Sequence, residues 1–442
     1  MKITIIGGGY VGLVTAAGLA TLGHHVNCIE NNSSKLNKLR NGQIPIYEPG
    51  LEELIVTAVR DNRLVFSDDL NCVDKSDIIF LAVGTPSRDD GSADLTAYNA
   101  VLELLVPIFK RSAKHILVTK STVPIGTANN VRAYFEEALK DRISTVSVVS
   151  NPEFLREGNA VADFMKPDRV VIGAFDRDTA QKVRALYEPL ENVSQFICTD
   201  PCTAEFIKYA SNSMLATRVS FMNEMALLAE ETGADIDMIR RGVGSDSRIG
   251  SQYLYPGPGF GGSCFGKDLM ALAYTAKELN SPCLMLEATL RANDNQKYVL
   301  VKKVRQILKI DQTVCIWGLA FKARTDDVRD SPALTLIDNL LTCGVKIHVH
   351  DPKAMPNIRS IYGDKLSYYD NMYDAASGAG VLVVITEWRD YLAPDFDRLK
   401  SISPNMILVD GRNIWRAHEA LDAGFSYTRI GKRMVIPEDK CR

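Results

Sequence analysis

The sequence predicts an α/β fold in which two doubly wound parallel-sheet domains are joined by a long central helix. Three observations predict it. Short apolar β-rich runs alternate with helical patterns through the first half, and the same rhythm returns after residue 313. Between them lies a stretch of helical periodicity without glycine or proline. Strands that alternate with helices read as crossover units of a parallel sheet covered on both faces.

The first-half runs are Ile3 to Ile6, Val26 to Glu30, Ile78 to Val83, Ile116 to Thr119, Val146 to Val149 and Val170 to Ile172. The second-half runs are Val314 to Trp317, Val345 to His350, Val381 to Ile385 and Ile407 to Val409. From Cys202 to Thr232 apolar residues such as Phe206, Ile207, Ala210, Met214 and Leu215 recur at helical spacing. One helix of about 45 Å is the natural reading, a spine between the domains with a surface for a second copy of the chain. The expected division is 1–200, 201–300 and 301–442.

Composition narrows the partner. The chain of 442 residues is 46% hydrophobic and 24% charged, with a formal charge of −3 and no basic runs. Nucleic acid and acidic membrane surfaces are therefore not expected, and a small molecule is. Nine cysteines lack metal-ligand spacing, Cys198 and Cys202 coming nearest, so no metal is expected. Their odd number without a framework suits a reducing compartment. No leader pattern precedes Met1-Lys2-Ile3 and no apolar run is long enough to span a bilayer, so a cytoplasmic, unanchored protein is expected.

Directly after the first strand, Gly7-Gly8-Gly9-Tyr10-Val11-Gly12 sets Gly7, Gly9 and Gly12 in the G-x-G-x-x-G pattern and opens a helix from Leu13. Such glycines allow a tight turn, backbone approach to a pyrophosphate and close helix packing. Glu30, at the end of the second strand, would accept from the adenosine ribose hydroxyls, which favours NAD over NADP. Lys35 nearby keeps a phosphate-bearing cofactor open. A tight turn without cofactor is the plainer reading, and the strand, loop, helix and acid context argues against it. The first domain is thus Rossmann-like, and the second echoes it.

Three further loops leave the C-terminal ends of predicted parallel strands: Val83-Gly84-Thr85-Pro86, Ser121-Thr122-Val123-Pro124 and Asn151-Pro152-Glu153. That edge is where open α/β sheets bind ligands, so with the glycine turn they should line one crevice. Asn151 and Pro152 read as an N-cap and first helical residue, placing Glu153 in a first turn and Glu157 one turn on. A carboxylate there can simply complement the helix dipole. All six histidines fall outside these loops, leaving acid–base work to carboxylates, lysine, hydroxyls or water.

On the long helix, Lys208 and Asn212 share a face and could hold a developing alkoxide, although solvated polar residues would look the same. The loop Gly259-Phe-Gly-Gly-Ser-Cys264-Phe-Gly-Lys267-Asp268 places one thiol among glycines and beside a cation. It reads either as a nucleophile on a mobile, close-approach backbone or as a small core residue in a linker.

Taken in order, Gly7 to Gly12, Pro45-Ile-Tyr-Glu-Pro-Gly50, Val83 to Pro86, Ser121 to Thr127, Asn151 to Gly158, Lys208 to Asn212, Gly259 to Asp268 and Gly318-Leu-Ala-Phe-Lys322 resemble the UDP-glucose/GDP-mannose dehydrogenase family over nearly the whole chain. The resemblance implies a four-electron oxidation of a sugar C6 alcohol to a carboxylate, with two NAD and one water, and the cysteine loop looks most like relatives that take UDP-glucose. GDP-mannose or a UDP-N-acetylhexosamine is the alternative substrate. A two-electron hydroxyacid-type dehydrogenase and a non-catalytic NAD-binding redox sensor are the other classes.

The family pattern makes Cys264 the nucleophile, Lys208 and Asn212 the oxyanion partners, and Glu153 the base that activates water. Thr122 and Asp268, with an ordered water, or Lys208, would help remove the hydroxyl proton. It implies cofactor contacts from Tyr10, Val11, Glu157, Lys267 and Arg329. Substrate contacts fall to Phe154, Leu155 and Arg156, to the segment Tyr253, Tyr255, Gly257 and Gly261, and to Lys322 and Arg412. Arg248 would reach across a homodimer to the other subunit's substrate. Two positions depart: Gly266 stands where many relatives carry proline, which should loosen the loop, and Glu30 replaces a common aspartate. In the second domain Gly318 stands without a full fingerprint, which suits a mononucleotide.

Overall fold

A computed structural model describes residues 1–111, 114–140, 145–190 and 195–437. By contact the chain divides into two compact units, Met1–Ser211 with Met270–Pro282 and Asn212–Leu269 with Cys283–Arg442. All ten apolar runs form strands, with ends shifted by a residue or two.

The first unit holds eight strands: β1 (Lys2–Ile6), β2 (His25–Ile29), β3 (Leu64–Ser67), β4 (Ile78–Leu81), β5 (Lys114–Thr119), β6 (Thr145–Ser150), β7 (Arg169–Ala174) and β8 (Gln195–Thr199). Their spatial order is β3-β2-β1-β4-β5-β6-β7-β8. The order reverses between β1 and β4, the kind of point at which open α/β sheets bind ligands. In β4 every residue is buried: Ile78 and Phe80 pack into one layer and Ile79 and Leu81 into the other. That is why it reads as an unbroken apolar run.

The expected all-parallel sheet is corrected at one place, where β6 and β7 pair antiparallel. The only helix between them, Ala160–Met165, has six residues and is about 9 Å long. A chain that must return to the starting edge of the sheet needs a longer crossover.

The second unit holds β9 (Thr313–Trp317), β10 (Lys346–His350), β11 (Ser367–Tyr368), β12 (Val381–Val384), β13 (Ile407–Asp410), β14 (Ser426–Arg429) and β15 (Lys432–Val435). Their order is β11-β10-β9-β12-β13-β14-β15, parallel except for the β14–β15 hairpin. That hairpin closes on Ile430 and Gly431, the latter at φ 77°.

The long helix spans Pro201–Thr232, 32 residues, and runs through the division between the units. Among the described residues no helix is long and apolar enough to cross a membrane.

Candidate active site

In the first unit the glycine turn follows β1. Gly7 adopts φ 116°, and a side chain at Gly12 would place its Cβ 1.8 Å from the Gly7 carbonyl oxygen. Both positions therefore exclude larger residues. Beside Gly9 nothing lies within 4 Å of where a Cβ would be, so the turn is open to a ligand. Gly9 caps the helix Tyr10–Thr21, which starts three residues before the expected Leu13.

Glu30 is buried at the end of β2, accepts from the Asn32 N–H at 2.8 Å and lies over Gly8. These residues fit an NAD adenosine and pyrophosphate. Lys35 is exposed on the next helix, Ser33–Arg40. Val11 packs partly into the core, and the Tyr10 hydroxyl is bound to Glu48 and to the Gly158 N–H.

The loops after β4 and β5 clasp each other: Thr85 Oγ1 donates to the Thr122 carbonyl at 2.6 Å, and Ser121 Oγ to the Val83 carbonyl at 2.6 Å. Gly84 faces open space between Val83 and Thr85, and the Pro86 carbonyl accepts from Asp94.

The expected helix at Asn151-Pro152 is not formed. Residues 151–156 are in neither helix nor strand, and the helix begins at Ala160. Asn151 cannot cap, because its Oδ1 accepts from Lys120 (3.1 Å) and Tyr187 (2.6 Å) and its Nδ2 donates to the Val171 carbonyl (2.7 Å). Carboxylates capture the N–H groups a helix would have ordered. Glu153 takes Leu155, Asp163 takes Arg156, and Glu48 takes Gly158 and Ala160. Glu157 accordingly lies in a turn rather than one helical turn beyond Glu153.

The turn buries Glu153 instead of exposing it at a helix end. Its Oε1 meets Lys208 Nζ at 2.9 Å, with both side chains almost wholly enclosed. Burial works to raise the Glu153 pKa, but the Lys208 ammonium, the Leu155 N–H and Lys120 together outweigh it and hold the carboxyl below its ordinary range. Phe154 carries the Arg169 guanidinium 3.8 Å from its ring centroid and the Lys208 ammonium at 5.5 Å. Leu155 packs against the core, and Arg156 pairs with Asp163 at 2.6 Å. A cavity of about 100 Å³ opens behind this turn, lined in part by Lys120, Asn151, Glu153 and Tyr187. Lys120 escaped the sequence reading, and Glu48, within the motif Pro45 to Gly50, carried no assigned role there. A lysine one residue beyond an apolar strand, at the ligand-binding edge, was the available signal for the first.

In the second unit the helix Phe265–Glu278 begins immediately after Cys264, whose carbonyl accepts from the Asp268 N–H at 2.9 Å. The loop expected to continue to Asp268 therefore ends at the cysteine, and Lys267 and Asp268 lie in the first helical turn. Asp268 is buried between Asn212 Nδ2 (2.6 Å) and Lys267 Nζ (2.5 Å). Ser263 Oγ lies 3.4 Å from Cys264 Sγ.

The glycines before the cysteine are explained by contact rather than mobility. A Cβ at Gly261 would lie 2.3 Å from the Asp330 carbonyl oxygen, and one at Gly262 would meet the Phe321 ring at 2.7 Å. Gly266 is helical, with ordinary space beside it, so its lack of a side chain does not loosen a loop.

The segment around Gly257 is clamped by buried amides. Asn223 accepts from the Gly257 N–H, Gln296 donates to its carbonyl, and Asn293 bonds both the N–H and the carbonyl of Phe260. Tyr253 sits at φ 59°, and Tyr255 is exposed under the Arg240 guanidinium. Arg412 reaches this segment, its Nη1 3.4 Å from where a Gly257 Cβ would be, while holding the Ile385 and Phe321 carbonyls at 2.6 Å each. Lys322 lies over the Phe321 ring. Arg329 meets the glycine loop through its backbone, its carbonyl accepting from the Gly262 N–H at 2.8 Å, while its side chain pairs with Asp327; Arg248 pairs locally with Asp246.

The turn after β9 differs from its counterpart after β1. Asp351 Oδ2 accepts from the Leu319 and Ala320 N–H groups (2.7 and 3.1 Å) and from Trp388 Nε1 (3.0 Å). A carboxylate of the chain itself thus fills the donors that a diphosphate would need at a turn of this kind.

Residues 1–191, 202–295 and 315–417 match the NAD binding, central and UDP binding domains of the UDP-glucose/GDP-mannose dehydrogenase family. The chain is similar to UDP-glucose 6-dehydrogenase of Rhizobium meliloti (44% identical, 98% of this chain and 100% of that one). It is also similar to that of Pseudomonas aeruginosa (42%, 98% of each). Among solved structures it resembles a UDP-glucose dehydrogenase from Pyrobaculum islandicum, with TM-score 0.89, 37% identity and 98% of each chain covered.

Proposed function

This chain belongs to the UDP-glucose/GDP-mannose dehydrogenase family, an NAD-dependent oxidoreductase family, and from that premise we propose that it oxidises UDP-glucose to UDP-glucuronate through a cysteine-bound intermediate. The overall change is UDP-glucose + 2 NAD⁺ + H₂O → UDP-glucuronate + 2 NADH + 3 H⁺, each NAD accepting one hydride from C6. The observation that carries the reading is Cys264 at a helix N-terminus, where backbone N–H groups favour the thiolate.

Thr122 and Asp268 with a water, or Lys208, help take the hydroxyl proton as the alcohol becomes an aldehyde. Cys264 Sγ then bonds C6, and the oxyanion of the thiohemiacetal is held by Lys208 and Asn212. Loss of the second hydride leaves a thioester. Glu153, kept as a carboxylate, takes a proton from the water that attacks it, and the C–S bond breaks to free Cys264 and the acid. Covalent capture keeps the aldehyde from escaping between the oxidations. Arg412 and the clamped segment around Gly257 supply donors for the nucleotide sugar. A cytoplasmic setting, where thiols stay reduced, suits this chemistry.

The test is a panel of UDP-glucose, GDP-mannose and UDP-N-acetylhexosamines with NADH counted against sugar consumed. Two NADH per UDP-glucose are expected. One NADH with a carbonyl product would overturn the four-electron reading, and turnover only on another sugar would overturn the substrate.

The same proposal includes a homodimer. Met214, Phe221 and Leu228 recur every seven residues on the long helix and are all exposed. Arg248, exposed beside Asp246, would extend toward the partner's substrate. Phe221→Glu is expected to shift the sedimenting species from dimer to monomer. A wild-type protein that sediments as a monomer at micromolar concentration would refute the dimer.

A further inference from the structure

A buried cation with no task in the reaction above lies beside Glu153. Lys120 follows directly on β5 and donates from Nζ to Asn151 Oδ1, the oxygen that the Tyr187 hydroxyl also binds. Its ammonium is 5.8 Å from the Tyr187 ring centroid. Asn151, anchored on the Val171 carbonyl, begins the turn that carries Glu153. Lys120 thus links the end of β5 to β7 and to the residue two before the base.

The charges around this pocket explain why a lysine is needed. Arg156 is paired with Asp163, Arg169 lies beside Asp168 and over Phe154, and Lys166 stands at the rim. Near Glu153 itself the cations are Lys208 and Lys120. In the hydrolytic step one ammonium, Lys208, would face two anions, the Glu153 carboxylate and the oxyanion on C6. A buried site carrying that net negative charge would drive Glu153 to take up a proton and cease to be a base.

We infer that Lys120 is a positioning residue for the hydrolytic step: through Asn151 it fixes the turn 151–155, and as the second buried cation beside Glu153 it keeps that carboxylate ionised while Lys208 serves the substrate oxygen. The inference rests on Glu153 acting as the base. Its electrostatics are consistent: burial pushes the Lys120 pKa down, Lys208 adds to that, attraction to Glu153 opposes it, and the result is about 8. Lys120 is therefore still largely a cation at neutral pH.

The experiment is the pH profile of kcat, from NADH formation on UDP-glucose, for wild type, Lys120→Met, Lys120→Arg, Tyr187→Phe and Glu153→Gln. Lys120→Met is expected to move the acid limb upward by about one pH unit, the size of a lost neighbouring charge. At the wild-type midpoint kcat then falls about fivefold, with KM for UDP-glucose changed less than about twofold. Lys120→Arg keeps the charge, and Tyr187→Phe removes a donor to Asn151 without removing charge, so both should keep the wild-type limb.

An unmoved limb in Lys120→Met while Glu153→Gln is crippled overturns the inference alone. So does an equal shift in Tyr187→Phe, which would leave Lys120 only a scaffold. Wild-type turnover in Glu153→Gln overturns the base assignment and this inference with it. Lys120→Gln, which retains a donor to Asn151, reads the same limb if Lys120→Met does not fold.

Discussion

Cys264→Ser is expected to reduce steady-state NADH formation by at least about 10³-fold, the scale on which loss of a nucleophile is felt. The substitution changes one atom and leaves the fold undisturbed. Residue 264 is the N-cap of the helix Phe265–Glu278, and serine is among the preferred residues at that position, so thermal stability should be unchanged or slightly higher. What is lost is an atom more nucleophilic than a hydroxyl oxygen and a leaving group that departs readily from an acyl carbon. In the proposed route the first hydride does not depend on the sulfur. A single turnover should therefore yield about one NADH per active site if the sugar stops as an aldehyde, and about two if it stops as a slowly hydrolysed ester. Mass spectrometry of the quenched protein distinguishes the two. Wild-type turnover in Cys264→Ser would refute the covalent route.

The parts of this molecule legible in the sequence are those whose cause is local. Gly7 and Gly12 are required by a backbone angle and a 1.8 Å approach within six residues of each other. The helix Pro201–Thr232 follows from a long stretch without helix breakers. The strands β1, β4 and β12 are buried along nearly their whole length and announce themselves as apolar runs. By contrast β3 and β11 lie at sheet edges and alternate or barely extend, and they carry no such signal.

What was misread has remote causes. Asn151-Pro152 has the local signature of a helix start. The donors that would have made it one are taken by Glu48, more than a hundred residues away, and by Asp163. The ionisation of Glu153 is likewise decided by Lys208 and Lys120, from two other elements of the chain. Asp351 closes the turn after β9 from a neighbouring strand end. Side chains that meet only through the fold leave no spacing in the sequence to read.

Lys208→Met tests the most consequential of those remote meetings, and its effect should depend on pH in a definite direction. In the wild type the Glu153 carboxyl is held below its ordinary pKa, so the pair contributes stability above the unfolded pKa and loses it as pH falls through the folded one. Without Lys208, burial dominates and the folded pKa rises above the unfolded value. The protonated acid is then the favoured buried form, and stability declines as pH rises. The gap between wild type and variant should be small near pH 4 and grow to about 3–5 kcal/mol at pH 7, the usual penalty for a buried charge left without its partner. Denaturant midpoints measured across that range read it directly, and a gap independent of pH would mean that the two groups are not coupled. Lys208→Met with Glu153→Gln removes both charges and should recover most of the loss at pH 7. Activity should not recover. The oxyanion still lacks its ammonium, which alone should lower kcat by about 10²–10³-fold, and the double variant has no base. Stability and turnover should thus separate in one pair of proteins, since the cation that pairs with Glu153 in the folded protein is also the one the proposed reaction draws upon.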